Sequence, residues 1–140
     1  MNHNAINVAL YFLKFRPRTV FEIEQKLKSK RYDDKEIAAT VAVLKRNKLL
    51  DDENFAKMWV RDRNHLKPTG SYLLKLELKK LGVNDNIIEK SLVNQDEEDL
   101  ARRAIESKNR YCHADFPKKA AFLQRRGFKT SIIYKVLKEI

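Results

Sequence analysis

Few residues in this 140-residue chain are of types that make or break bonds, and their spacing argues against such chemistry. The histidines, His3, His65 and His113, include no pair at the three- or four-residue spacing that puts two ligands on one helix face. Cys112 and His113 are adjacent, so their side chains diverge. They form neither a zinc set nor an activated thiolate without distant partners, and Cys112 is read as a structural or surface residue. The glycines Gly70, Gly82 and Gly127 stand singly, so no loop cradles phosphate and the chain is expected to hydrolyse no ATP. Two acidic runs, Asp51-Asp52-Glu53 and Asp96-Glu97-Glu98-Asp99, suggest a cation site. Consecutive residues in a first helical turn point around the axis, however, and helix capping with the macrodipole accounts for these acids better. The expectation is a non-enzyme with no catalytic residue, no cofactor and no metal.

What remains is charge. Thirty Lys and Arg against nineteen Asp and Glu give a formal net charge of +11 and a pI near 9.8. Residues 1–50 hold +6 of this, residues 51–93 +1 and residues 94–140 +4. Candidate binding groups follow. Arg16 and Arg18 flank Pro17 at a helix junction, where their forks can reach phosphate or carboxylate. Lys57, Arg61 and Asn64 form one outer row, and Arg63 and Lys67 lead into the Pro68–Gly70 turn. Lys75 and Lys79 lie four apart with Lys80 beside them, and Arg102, Arg103, Arg125 and Arg126 add four guanidiniums. Taken singly, each set is ordinary solvated charge; together the excess points to a polyanionic partner, nucleic acid or an acidic protein surface.

The elements that hold these groups are helices. With three Gly, three Pro and 35% charged residues, the composition leaves little room for hairpins. Val8, Ala9, Phe12 and Leu13 define one helical face, ended near Pro17. Thr19 with Glu22 forms a capping-box pattern before Ile23 and Leu27, and Asp34 caps a third helix carrying Ile37, Val41 and Leu44. The order then repeats. Asp51 or Asp52 caps a helix with Phe55, Met58, Trp59 and Leu66, Leu74, Leu78 and Leu81 line the next, and Asp85 caps one bearing Ile88 and Leu92. In the third copy come Leu100, Ala101, Ala104 and Ile105, then Pro117 at a helix start with Leu123, then Thr130 as a cap before Ile133, Leu137 and Ile140.

Counting from Tyr32, Val83 and Phe128 fixes the frame. Five positions earlier stand Leu27, Leu78 and Leu123; five later stand Ile37, Ile88 and Ile133. One position earlier stand Arg31, Gly82 and Gly127, where Gly suits a left-handed helix end and Arg31 breaks the rule. Ala9, Ala56 and Ala101 recur at a period typical of helical repeats. The fold class is therefore all-α: three tandem three-helix repeats, spanning 1–50, 51–94 and 95–140, in one elongated, curved, right-handed or solenoid-like array. Its expected core includes Phe55, Trp59, Leu74, Leu78, Gly82, Ile88, Leu123, Gly127 and Ile133. The register of Phe55 and Trp59 makes them core side chains rather than base-stacking aromatics.

The segments Ala9-Leu10-x-x-Leu13 with Arg16-Pro17-Arg18-Thr19, Leu50-Asp51-Asp52-x-x-Phe55-Ala56-x-x-Trp59, and Lys67-x-x-Gly70 with Glu77-Leu78-x-x-x-Gly82-Val83 resemble the RecX family, regulators of the RecA recombinase. The likeness covers almost the whole chain and is strongest in the first two units. It implies tandem three-helix repeats that bind in the groove of the RecA–DNA filament. It also implies modulation of that filament, usually inhibition of its ATPase, strand exchange and coprotease activities, within homologous recombination, DNA repair and the SOS response. The expected partners are the RecA filament and, weakly, single-stranded and double-stranded DNA. A monomer in the cytoplasm is expected: one Cys, no apolar run long enough to span a membrane, and no signal-like start. A stand-alone, sequence-indifferent DNA-binding protein of helix-turn-helix-like units is the competing expectation. Third helices that begin with acidic or small residues disfavour it, because a base reader needs Arg, Asn or Gln there.

Overall fold

Most of the helices begin at an oxygen placed to accept an otherwise unpaired backbone N–H. Thr19, Asp33, Asp51, Asn84, Asp96 and Asp115 each accept from the N–H three residues on, which satisfies donors that the first turn leaves free. Thr19 and Glu22 complete a reciprocal capping box. The computed structural model describes residues 2–139, with side chains from residue 4; Ile140, expected to close the core, and the His3 side chain lie outside the described residues. The helices run α1 (Asn2–Leu13), α2 (Val20–Ser29), α3 (Asp34–Arg46), α4 (Asp52–Leu66), α5 (Ser71–Lys80), α6 (Asp85–Leu92), α7 (Glu97–Glu106), α8 (Asn109–Cys112), α9 (Phe116–Arg125) and α10 (Thr130–Glu139). The chain is all-helical.

Some cap positions differ from those expected. Asp33 and Asn84, not Asp34 and Asp85, cap α3 and α6. The acids that follow occupy the first helical position instead, where their charge still favours the positive helix end. Thr130 is the first residue of α10, and Pro117 is the second residue of α9 rather than the first. In the third unit the one-turn helix α8 interrupts the connection between the long helices α7 and α9.

Three apolar clusters form, one per unit. Ala5, Ala9, Ile23, Leu27, Ile37, Val41, Leu44 and Leu50 make the first. Phe55, Ala56, Leu78, Val83 and Ile88 make the second, with Trp59 packed against it and only partly buried. Leu100, Ala101, Ala104, Ile105, Phe122, Leu123, Phe128, Ile133, Val136 and Leu137 make the third. Leu74 is fully buried. Leu66, expected on the inner stripe of α4, is 75% exposed. At fifteen residues α4 outruns α5 and α6, with ten and eight, and its last turn overhangs the core they form.

The same joint connects unit one to unit two and unit two to unit three. At the start of α2, the Thr19 hydroxyl donates to the Leu81 carbonyl at the end of α5 (2.6 Å), and the Val20 N–H donates to Asp52 Oδ1 at the start of α4 (3.0 Å). At the start of α5, the Gly70 N–H donates to the Arg126 carbonyl at the end of α9 (2.7 Å), and the Ser71 N–H donates to Glu97 Oε1 at the start of α7 (3.0 Å). Thus α9, α5 and α2 follow one another end to end, C-terminus against N-terminus, the orientation their macrodipoles favour.

The glycines at helix ends serve this joint twice over. Gly82 and Gly127 have φ of 86° and 90°, a region that residues with a Cβ enter at a cost. A Cβ at Gly82 would stand 2.1 Å from Phe21 Cβ, and one at Gly127 2.4 Å from Leu73 Cβ. Arg31 has a similar φ of 67°. It closes the second helix of the first unit, where its side chain is exposed.

Candidate partner-binding surface

The cations fall into two groups, those committed to this chain's own carboxylates and carbonyls and those left without such a partner. Arg16 pairs with both Glu22 oxygens, while the Arg18 guanidinium lies 3.7 Å from the Phe12 ring centroid and reaches Glu22 Oε2 at 3.9 Å. Burial depresses the Arg18 pKa, Arg16 beside it adds to this, and Glu22 opposes both. This pair fastens the α1–α2 corner around Glu22, with Arg18 13% exposed and Arg16 40%.

Arg63 grips Glu77 of α5 with two nitrogens, at 2.9 and 2.6 Å, and the Trp59 indole N–H donates to the same carboxylate at 2.9 Å. The hydrogen bond to Glu77 raises the Arg63 pKa. Burial alone would lift Glu77, but the Arg63 and Trp59 hydrogen bonds and the Arg63 charge hold it below the usual carboxylate range. Arg126 donates to the Pro68 carbonyl and to Thr69 Oγ1 across the joint between units two and three. Its pKa is lowered, first by burial and then by the charge of Arg63. The carboxamide of Gln95 completes that joint, accepting from Asn64 and donating to the Thr69 carbonyl, Ser71 Oγ and Glu97. Arg102 binds Glu139 and Glu98, and Arg103 binds Asp99.

The remaining candidates face outward. Lys75 lies 3.4 Å from Glu89, Lys79 3.5 Å from Asp85 and Arg61 3.3 Å from Asp62, all at the surface, where such pairs are weak and exchange readily with other anions. Among the described residues Lys57, Lys67, Lys80 and Arg125 form no ion pair within 4 Å. Lys80 sits one position past Lys79 at the exposed end of α5, and Lys67 follows the end of α4. Sequence reasoning did not single out Arg110 and Lys118, which line one groove with Arg125 and Tyr111. Arg110 lies on α8, too short for a periodic pattern.

An apolar groove of about 280 Å³ opens between the α1–α2 corner and α4, lined by Arg16, Pro17, Phe55, Met58, Trp59, Asp62, Arg63 and Leu66. The overhanging turn of α4 makes its far wall. Thus Phe55 and Trp59 turn one side to the core and another to this groove, with their rings stacked at 5.8 Å. Arg16 and Arg63, both held by glutamates, stand in its wall. The groove offers a protein partner an apolar contact whose wall carries Arg16, Arg63 and Asp62.

Among the described residues, no group of three His, Cys, Asp or Glu is arranged to hold a metal ion. Nor is any helix of these residues long and apolar enough to cross a membrane.

Comparison with known proteins is consistent across sequence and structure. The pattern of the first three-helix domain of RecX matches residues 5–44, and that of the second matches residues 51–92. The chain is 36% identical over 139 residues to the regulatory protein RecX of Chlorobaculum tepidum, covering 96% of this chain and 87% of that one. It is 35% identical over 140 residues to the regulatory protein RecX of Thermotoga maritima, covering 96% and 83%. The crystal structure of RecX from Lactobacillus salivarius superposes with a TM-score of 0.88 at 28% identity, over 99% of this chain and 95% of that one.

Proposed function

Because this chain belongs to the RecX family, we propose that it is a regulator of the RecA recombinase that binds the RecA–single-stranded DNA filament and lowers its ATPase, strand-exchange and coprotease activities. The observation that carries the reading is whole-chain similarity to proteins named for regulation, in a fold whose three units are joined in series. An array of this kind spreads contacts over several neighbouring subunits of a polymer. Two kinds of surface support the reading. The apolar groove beside Trp59 and Leu66 suits a protein subunit, and the unpaired lysines suit a polyanion. In this reading the chain acts as a monomer in the cytoplasm and as a binding protein, not an enzyme.

The deciding experiment is ATP hydrolysis by preassembled RecA–single-stranded DNA filaments with this protein titrated in. Loss of hydrolysis well below one molecule per RecA subunit is the expected result, since each bound array then affects many subunits. Loss only when the DNA itself is saturated would mean a basic protein competing for phosphate. No loss, with duplex binding intact, would favour a stand-alone DNA-binding module.

A further inference from the structure

The groove between α8 and α9, of about 270 Å³, is lined by Arg110, Tyr111, Lys118, Ala121 and Arg125, with no carboxylate among them. Its parts are held in place. The Tyr111 ring stacks on the buried Phe122 ring, centroids 4.1 Å apart and planes 16° from parallel. An Arg125 guanidinium nitrogen donates to the Tyr111 hydroxyl at 3.1 Å, and the Arg110 guanidinium carbon stands 5.5 Å from the centre of the same ring. Tyr111 is therefore a post on which two guanidiniums are arranged, one bonded to its hydroxyl and one against its ring.

The charge here is uncompensated. Arg16, Arg18, Arg63, Arg102 and Arg103 each have a carboxylate within 4 Å. Among the described residues Arg110, Lys118 and Arg125 have none. Asp115, beside them in sequence, uses its carboxylate to accept the Lys118 backbone N–H as the cap of α9. Like charges gathered in one concavity repel unless an anion joins them. The Tyr111 hydroxyl, accepting from Arg125, keeps its own proton to donate. Donors thus enter from α8 and α9 together, an arrangement that suits a tetrahedral, many-oxygen anion better than a planar carboxylate, which takes a fork edge-on.

We propose that the Arg110–Tyr111–Lys118–Arg125 niche holds a backbone phosphate of single-stranded nucleic acid, making the third unit the chain's nucleic-acid contact. The proposal rests on the filament reading above, which brings DNA within reach, and it adds the place of contact. The two readings are tested separately, because binding is measured here without RecA.

The probe is a fluorescein-labelled oligothymidylate, with anisotropy recorded for the full chain across a series of salt concentrations. Removing two charge-assisted hydrogen-bonding groups in Arg110→Gln/Arg125→Gln is expected to weaken binding at low salt by about tenfold or more. The dependence of log affinity on log salt should flatten by about 0.7 for each phosphate that is no longer neutralised. Tyr111→Phe keeps the ring stack and removes the hydroxyl, and a smaller loss, about threefold, is expected. Lys45→Gln/Lys48→Gln removes the same charge from the first unit and should change neither affinity nor slope to that extent. Far-ultraviolet circular dichroism of each variant should match the parent. Equal losses from the two double variants would overturn the proposal in favour of diffuse charge, and so would an absence of oligonucleotide binding by the parent chain. Inorganic phosphate that saturates the niche without displacing the oligonucleotide would assign it to a free ion. Equal competition by polyglutamate would assign it to acidic protein; either result overturns the proposal. A failure on any of these counts leaves the filament reading to its ATPase assay.

Discussion

Asp52, the first residue of α4, accepts the backbone N–H of Val20, the first residue of α2, at 3.0 Å, so one unit caps a helix of the unit before it. Glu97 does the same for Ser71 one unit on. Spacing alone assigns both acids to their own helices. They do lie in those first turns, but their oxygens are aimed across the joint.

That placement sets a pH dependence. Burial raises the Asp52 pKa, against the pull of the Val20 N–H and the Lys45 charge, while Asp51 and Glu22 push it further up. The folded state therefore binds a proton more readily than the unfolded chain, and ionised Asp52 detracts from stability above its folded pKa. Asp52→Asn keeps an acceptor for Val20 without the half-buried charge. The variant should be more stable than the parent at neutral pH in urea unfolding, and the gain should vanish as pH falls through the folded pKa and the parent carboxyl becomes protonated.

Glu77 has the opposite sign. Its pKa is held down in the folded state, so its contribution is complete above the unfolded value, about 4.3, and is lost as pH falls through the lower folded value. Glu77→Gln should cost about 1.5–3 kcal/mol at neutral pH through the weakened bonds to Arg63 and Trp59. The difference should start to shrink below about pH 4.3, where the unfolded carboxyl protonates, and close only as pH falls through the lower folded value. A constant difference down to pH 2 would show that the loss is one of packing rather than charge.

Gly82→Ala combines a left-handed backbone with a Cβ 2.1 Å from that of Phe21. A loss of about 2–4 kcal/mol is expected from the two effects together. Arg31→Gly should act the other way, because φ of 67° is strained for Arg and the side chain is exposed. A gain of about 0.5–1 kcal/mol, what remains of the relieved strain after the cost of a more flexible unfolded chain, should raise Tm by a few degrees.

Replacing Lys75, Lys79 and Lys80 together with Ala removes exposed cations whose internal pairs, to Glu89 and Asp85, are weak. Helical content and Tm should stay within error, while association with RecA–DNA filaments slows several-fold at low salt and converges with the parent at high salt. Unchanged association at low salt would leave this face merely solvated.

Much of the fold can be read from spacing. Ile37, Ile88 and Ile133 share one register and all are buried, because a helix facing a core repeats every three to four residues whatever lies on its other side. Side-chain partnerships are less legible. Arg63 meets Glu77 14 residues on, and Arg126 meets Pro68 58 residues back; nothing local marks such pairs. The cations without a carboxylate partner, Arg110, Lys118 and Arg125 among them, are told apart from the committed ones only by the absence of a nearby acid, which is a property of the folded surface. Leu66 misled because periodicity cannot tell where a long helix outlasts its neighbours.

The repeated joint also makes the array modular. A duplicate of residues 51–95 inserted after residue 95 would bring its own Leu81 carbonyl to accept the Gly70 N–H of the copy before it, its own Gly82 to leave room there, and its own first-turn carboxylate to cap Ser71. The number of internal units is thus an adjustable length, and an engineered series could space the outer surfaces in steps of one unit. The amino-terminal side does not extend in this way. A unit docked there would bring the second residue of its own second helix against Arg31, where Gly82 leaves room for Phe21. Growth of the array by duplication therefore has a direction, and that direction is set by the absence or presence of one Cβ.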